Sequence, residues 1–380
     1  MNALQMTKRA ATRFPFAIVL AFAGAPVAQA ESSYYQAQTL VSNGAIVAPN
    51  KDPNLVNGWG LAFNPYGFSW IAANGTGVST LYDGVGKPQS LVVQVPAPAG
   101  AVGKGTPTGI VFSGSSEFVV TQGSLTGPSR FIFATEDGVI AGWSPAVNLT
   151  NAVRVIDASK TTHAVYKGLA LSAAGNGSLL YATDFHNGRI DVFDAAFKPV
   201  TLAPGAFADG SLPVGYAPFG IQAILGNIYV SYAKQDAAKH DEITGRGLGF
   251  VNVFNPNGVL IRRLVSQGAL DAPWGMALAP AGFGRFSNRL LVGNFGNGVI
   301  NAYEPGSGRF VGKLRTADHR PLHVHGLWGL SFGNGFQKQL VNTLYFAAGP
   351  NDEKNGSYGR IDAVRGEWHG EATEQEGADD

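Results

Sequence analysis

Histidines and short oxygen-bearing side chains are the residues with the clearest chemical promise. His163, His319, His323 and His325 precede apolar, strand-like runs, while His186 and His240 lie in the turns between such runs. In an extended segment side chains alternate with period two, so His323 and His325 would share one side. Such a pair suits Zn²⁺, Cu²⁺ or Fe²⁺, with Asp318 as a third ligand or His186 or His240 contributed from across a channel. Asn74, Asp184 and Asn294 fall just after apolar runs, with Gln122, Tyr232 and Ala348 as looser equivalents. Their oxygens suit Ca²⁺ or Mg²⁺, but the same residue types also make turns with no ion present. The expected cofactor is therefore a divalent cation, Ca²⁺ or Zn²⁺, if these sets converge. Asp184 and His186 are also the candidate general bases. A charged loop runs from Lys234 through Asp236, Lys239, His240 and Asp241 to Glu242. Trp59, Trp274 and Trp328, with Phe219, each stand one residue before a glycine. With His240 the three tryptophans are the candidate ligand-binding residues, by stacking at a channel mouth, unless they are core.

Other chemistries are excluded. With Cys 0 there are no disulfides, thiolate metal sites or Cys nucleophiles. No Gly-x-Ser-x-Gly, His-Glu-x-x-His or P-loop motif occurs. Lys+Arg 27 against Asp+Glu 26 gives no electrostatic footprint for nucleic acid.

The elements that position these residues follow from a repeat. Asn57-Gly58-Trp59-Gly60-Leu61-Ala62-Phe63 returns as Ala272-Pro273-Trp274-Gly275-Met276-Ala277-Leu278 and as Gly326-Leu327-Trp328-Gly329-Leu330-Ser331-Phe332. Weaker copies centre on Gly109, Gly168 and Gly220, so the six anchors are spaced by 49, 59, 52, 55 and 54 residues. Each anchor is followed by a strand, an Asn/Gly turn and an alternating strand, as in Leu179–Asp194 and Leu290–Glu304. Four strands in about 50 residues is the period of a β-propeller blade. The fold expected is all-β, a six-bladed propeller with about four strands per blade. Tyr35–Val41 is left over and is expected to pair on the last blade and close the ring, removing an open edge. In the second blade both Phe118–Thr121 and Phe131–Ala134 read as strands.

The run Leu179–Asp194, with its Thr183-Asp184-Phe185 and Asn187-Gly188-Arg189-Ile190-Asp191 segments, resembles the NHL-type and SMP-30-type six-bladed propellers. Asn57–Phe63, Phe131–Trp143, Tyr216–Asp241, Pro273–Pro280 and Gly326–Gly335 are similar to a family of secreted bacterial propellers without an assigned activity. The resemblance spans nearly all of residues 31–366 and implies the fold. The SMP-30/NHL likeness also implies a metal-dependent lactonase, lyase or hydrolase as the alternative to a binding module.

Residues 1–30 read as a secretory signal: Lys8, Arg9 and Arg13, an apolar run from Phe14 to Val27, then Ala28-Gln29-Ala30 for cleavage. That apolar run is shorter than a membrane span needs. The mature chain would be exported, to the periplasm or beyond, as one propeller over 31–366 with an acidic tail, 367–380, and no membrane span. Its expected role is to bind a small molecule, glycan or protein through the loops over its channel. Whether it is an enzyme is left open by the sequence.

Overall fold

The protein was analysed as a computed structural model, which describes residues 33–174 and 177–365. Residues 1–30, read above as a secretory signal, and residues 367–380, read as an acidic tail, lie outside the described residues. Among the described residues no helix is long and apolar enough to cross a membrane.

The chain folds as six antiparallel blades. Blade 1 comprises Gly58–Phe63, Ser69–Ala73, Val78–Tyr82 and Val93–Gln94. Blade 2 comprises Pro107–Phe112, Phe131–Thr135, Val139–Trp143 and Val153–Asp157. Blade 3 comprises Tyr166–Ala174, Gly177–Asp184 and Arg189–Phe193, and blade 4 Tyr216–Ile224, Asn227–Gln235, Phe250–Phe254 and Leu260–Ser266. Blade 5 comprises Pro273–Leu278, Leu290–Asn294, Ile300–Tyr303 and Phe310–Lys313. Blade 6 is Leu327–Phe332, Leu344–Ala348 and Ser357–Arg365, and Ser33–Ser42 pairs antiparallel with its third strand.

The anchor glycines lie where neighbouring inner strands touch. A Cβ at Gly60 would come 2.3 Å from the carbonyl oxygen of Thr108, and one at Gly220 would come 2.1 Å from that of Trp274. The same crowding links Gly109 to Leu169, Gly168 to Phe219, Gly275 to Trp328 and Gly329 back to Trp59, a full circuit of the blades. Only glycine permits backbones this close. The apolar runs bury both sheet faces, because each blade packs on two neighbours. Trp70 against Phe131, with ring centroids 4.0 Å apart, marks the seam between blades 1 and 2. Tyr82 against Tyr358, at 5.3 Å, marks the seam between blades 6 and 1. Each such fully buried ring contributes roughly 2–3 kcal/mol by leaving water.

Two sequence expectations are corrected. Val119–Gln122 pairs with Leu125–Pro128 as a separate hairpin inserted ahead of the second strand of blade 2. Gln122 therefore does not stand at the end of that strand, which is Phe131–Thr135. The second concerns register. Asp184 pairs with Tyr166 and Asn294 with Pro273 as the last residues of their second strands. In blade 1 that position is Ala73, and Asn74 is one residue further on. A one-residue step reverses the direction of a strand side chain, so Asn74 is not the counterpart of Asp184 and Asn294.

Candidate functional site

The residues preceding the anchor glycines are Trp59, Thr108, Lys167, Phe219, Trp274 and Trp328. With Phe185, Phe295, Ala217, Ala233 and Ala272 the aromatics form a cluster on the axis. Trp328 stacks on Trp59 at 3.6 Å and on Phe295 at 4.0 Å, and Trp274 meets it edge-on at 5.9 Å. The cluster stoppers the channel. Trp59 and Trp328 are buried and Trp274 half-buried, so the first two serve as core rather than as a stacking surface. The indole N–H of Trp274 donates to the Lys167 carbonyl oxygen at 2.9 Å, and that of Trp328 to Asn57 Oδ1 at 3.0 Å.

Lys167 is the one cation in this ring, and its side chain is 1% exposed. Its ammonium stands 5.2 Å over the Trp59 ring and 5.9 Å from that of Phe185, in cation–π contact. It pairs with Glu136 Oε1 at 2.5 Å and with Asp241 Oδ1 at 3.1 Å. The same Asp241 oxygen lies 2.9 Å from His240 Nδ1. On the other side Asn74 Nδ2 donates to Glu136 Oε2 at 2.8 Å, and Asn57 Nδ2 donates to Glu353 Oε2 at 2.9 Å. Blades 6, 1, 2, 3 and 4 are thus joined across the channel mouth by one polar chain.

Four carboxylates, Glu136, Asp241, Glu242 and Glu353, act on this single ammonium. Burial alone would lower the Lys167 pKa, but Glu136, Glu242 and Asp241 outweigh it and hold the group above its ordinary value. Burial pushes Glu242 up to about 8, against the pull of Lys167, and Glu353 and Asp241 add to the rise. Burial and the neighbouring Glu136 carboxylate push Glu353 up to about 7. Burial would raise Asp241 too, but Lys167 and His240 hold it below the usual carboxylate range. Glu353 is placed by a strained turn: Asn351, Asp352 and Glu353 have φ of 59°, 50° and 62°. Left-handed backbone costs a non-glycine residue roughly 1–2 kcal/mol, and such strain gathers at functional sites.

The residues singled out from sequence separate into groups. Asp184 is buried and accepts from the backbone N–H of Val165 and Asn187, beside Arg189 at 3.5 Å. Asn294 is buried and holds Asp271, Ala269 and Asn297. Both are committed to their own turns. His323 and His325 are exposed on one side of their segment, with ring centroids 6.5 Å apart, and His323 Nδ1 bonds the Asn297 carbonyl oxygen. Asp318 turns instead to Arg320, at 3.4 Å. His186 is half-buried in the blade 3 turn. The structure does not gather Asn74, Asp184, Asn294, His323 and His325 around one point. Among the described residues the His and acid ligand atoms that do converge, within 4.8 Å, belong to Glu136, His240 and Asp241. Lys167 lies between the two acids of this group, so a metal held by them would have to displace it.

Lys167, Glu136, Glu242 and Glu353 are the site residues that sequence reasoning does not single out as ligands. Lys167 carries the clearest signal, since it occupies the position held by tryptophan in three other blades. This division yields a direct expectation. Asn294→Ala removes three hydrogen bonds, one of them fully buried, and costs about 1–3 kcal/mol, a loss of a few degrees in Tm. Asn74→Ala, measured by the same thermal melts, removes the donor to Glu136 at the channel mouth and is expected to cost less, since Asn74 is half-buried.

Fold and site define a six-bladed β-propeller with an aromatic stopper and an acid-rich channel mouth. No protein-family model matches the chain. An uncharacterised protein of Acanthamoeba polyphaga mimivirus is 33% identical over 329 residues, spanning 85% of this chain and 78% of that protein. A second uncharacterised protein of the same virus is 30% identical over 326 residues, spanning 85% and 84%. The chain belongs to the family of these viral proteins. Among solved structures, a Bacteroides thetaiotaomicron protein of unknown function superposes with TM-score 0.56 at 11% identity, covering 88% of this chain and 77% of that one. A glucose dehydrogenase superposes with TM-score 0.53 at 14% identity, covering 87% and 99%. At these identities the likeness shows the fold alone. The resemblance to secreted bacterial propellers carries over as six-bladed architecture, without the origin or the export.

Proposed function

We propose that the chain is an exported binding module that captures a ligand through an ammonium group at its channel mouth. The ammonium belongs to a small amine or to a lysine of a protein partner. One observation carries this reading: one buried lysine pairs with Glu136 and Asp241 and also stands in the field of Glu242 and Glu353, which leaves the mouth short of positive charge. Two of them, Glu242 and Glu353, have pKa values pushed up to about 8 and about 7. A cation placed beside them replaces their protons and relieves their mutual repulsion. Lys167 is itself an ammonium that donates to two of the four acids, Glu136 and Asp241, which supports an ammonium as the ligand group. Export is supported by the address segment read in residues 1–30.

The test is calorimetric titration of the mature chain with 1,4-diaminobutane at pH 8 and pH 6. Binding is expected at pH 8 and is expected to weaken by up to about tenfold per pH unit for each proton the cation must displace. Glu353→Gln should weaken it at pH 8. Undetectable binding at pH 8, or an affinity indifferent to both pH and Glu353→Gln, overturns the reading.

The metal-dependent hydrolase is favoured by a different observation, the convergence of Glu136, His240 and Asp241 within 4.8 Å. It requires Ca²⁺ or Zn²⁺ to bind the native chain in place of the Lys167 ammonium. Metal analysis of the tag-free protein, followed by a lactone and ester screen, separates it from the binding module.

A further inference from the structure

The loops joining first to second strands lie at the strand ends opposite the channel mouth. There, at the seam of blades 1 and 2, a cleft of about 620 Å³ opens between the 64–68 loop and the edge of blade 2. That volume is within the range of small-molecule sites, roughly 300–1,000 Å³. Beneath it lie the buried seam rings, Trp70 stacked on Phe131 at 4.0 Å with Trp143 4.7 Å from Trp70, and the half-buried Phe68 and Phe112, the latter edge-on to Phe131 at 5.4 Å, present ring surface to the cleft. Tyr66 stands at its rim, 77% exposed. Phe336 of blade 6 buttresses the Tyr66 ring edge-to-face at 5.3 Å.

Arg130 supplies the charge. Its Nη1 donates to the carbonyl oxygens of Gly114 at 3.3 Å and Ser115 at 3.1 Å, which fixes the guanidinium against the cleft wall. Among the described residues it forms no ion pair with a carboxylate. A guanidinium has five N–H donors, so tethering through Nη1 leaves donors for a planar anion, the geometry in which arginine is most selective. No acidic residue lines the cleft. The cleft thus carries one cation and no acid, the opposite of the acid-rich channel mouth.

We propose that this cleft is a second binding site, for a small ligand with a flat aromatic body and a single carboxylate. Tyr66, Phe68 and Phe112 take the body and Arg130 takes the carboxylate.

The test uses naphthalene-2-carboxylate and its neutral analogue 2-naphthalenemethanol, titrated into the mature chain by saturation-transfer NMR and tryptophan quenching. The carboxylate is expected to bind about tenfold tighter than the alcohol, as befits one charge-assisted contact. Arg130→Gln should reduce the carboxylate to the level of the alcohol and leave the alcohol unchanged. Tyr66→Ala, at an exposed position, should weaken both ligands by a similar factor and keeps the test decisive if Arg130→Gln unfolds. No saturable binding of the carboxylate below roughly 2 mM would overturn the proposal. Equal affinity of carboxylate and alcohol, or indifference of both ligands to Tyr66→Ala, would do the same.

Discussion

Lys167→Met lowers the stability of the propeller by roughly 3–5 kcal/mol, the cost of removing one partner from a buried ion pair. For a chain of this size that is about 10 °C in Tm. Methionine keeps the stem that packs over Trp59, so the loss isolates the charge. What remains is Glu136 with no counter-ion at 2.5 Å, Asp241 with none at 3.1 Å, and the Glu242 and Glu353 carboxylates beside them. A second change tests the cause. In Lys167→Met/Glu136→Gln the orphaned charge is gone, and part of the loss should return. Calcium gives a third reading. With the ammonium removed, the Glu136 and Asp241 carboxylates it held are hard-oxygen ligands of the kind Ca²⁺ prefers, and Glu242 and Glu353 add negative charge nearby. Millimolar Ca²⁺ should therefore raise the Tm of Lys167→Met by mass action and leave the native chain nearly unchanged. A variant that melts with the native protein, with or without Ca²⁺, would show that Lys167 does not hold the mouth together.

The fold is legible because the repeat is carried by backbone necessity. A glycine must stand where inner strands touch, and Gly60, Gly109, Gly168, Gly220, Gly275 and Gly329 supply it in every blade. The site is legible only in part. The position before the anchor joins the axial cluster as Trp59, Phe219, Trp274 and Trp328, so a lysine at the same place in blade 3, over the Trp59 ring, stands out as a departure. Three physical facts conceal the rest. The inserted hairpin Val119–Pro128 displaces the second strand of blade 2, which hides that Glu136 aligns with Asn74. Residues that follow the second strand and residues that end it are adjacent in sequence and point apart, so Asp184 and Asn294 imitate channel residues while serving turns. Glu353 reaches the mouth through three consecutive left-handed residues, Asn351 to Glu353, and nothing in composition or periodicity announces that conformation.

The stability of the native chain should fall as pH rises from about 4.5 to 8. Burial raises Glu242 to about 8 and Glu353 to about 7, from an unfolded value of 4.5. Between those limits the folded chain holds protons that the unfolded chain has released. Stability then declines with pH by about 1 kcal/mol per unit for each group in its window. The contribution is complete below pH 4.5 and is lost once pH passes the folded values. Asp184, raised by its own burial, acts in the same direction. Asp157, Asp209 and Asp241 are held low and act oppositely, but their contribution is present above the unfolded carboxylate value and is lost only as pH falls below it. The decline across neutrality therefore belongs to the channel mouth. Urea midpoints at pH 5, 6.5 and 8 should decrease in sequence for the native chain. In Glu242→Gln/Glu353→Gln they should be nearly level, with the variant more stable than the native chain at pH 8. A native midpoint that is constant or rises from pH 5 to 8 would mean that these two acids are ionised in the folded state. The charge imbalance that makes the mouth a cation site would then have to be satisfied by some other means. If the decline is present, adding 1,4-diaminobutane at pH 8 should recover part of it, because the ligand supplies the positive charge that protons supply at pH 5.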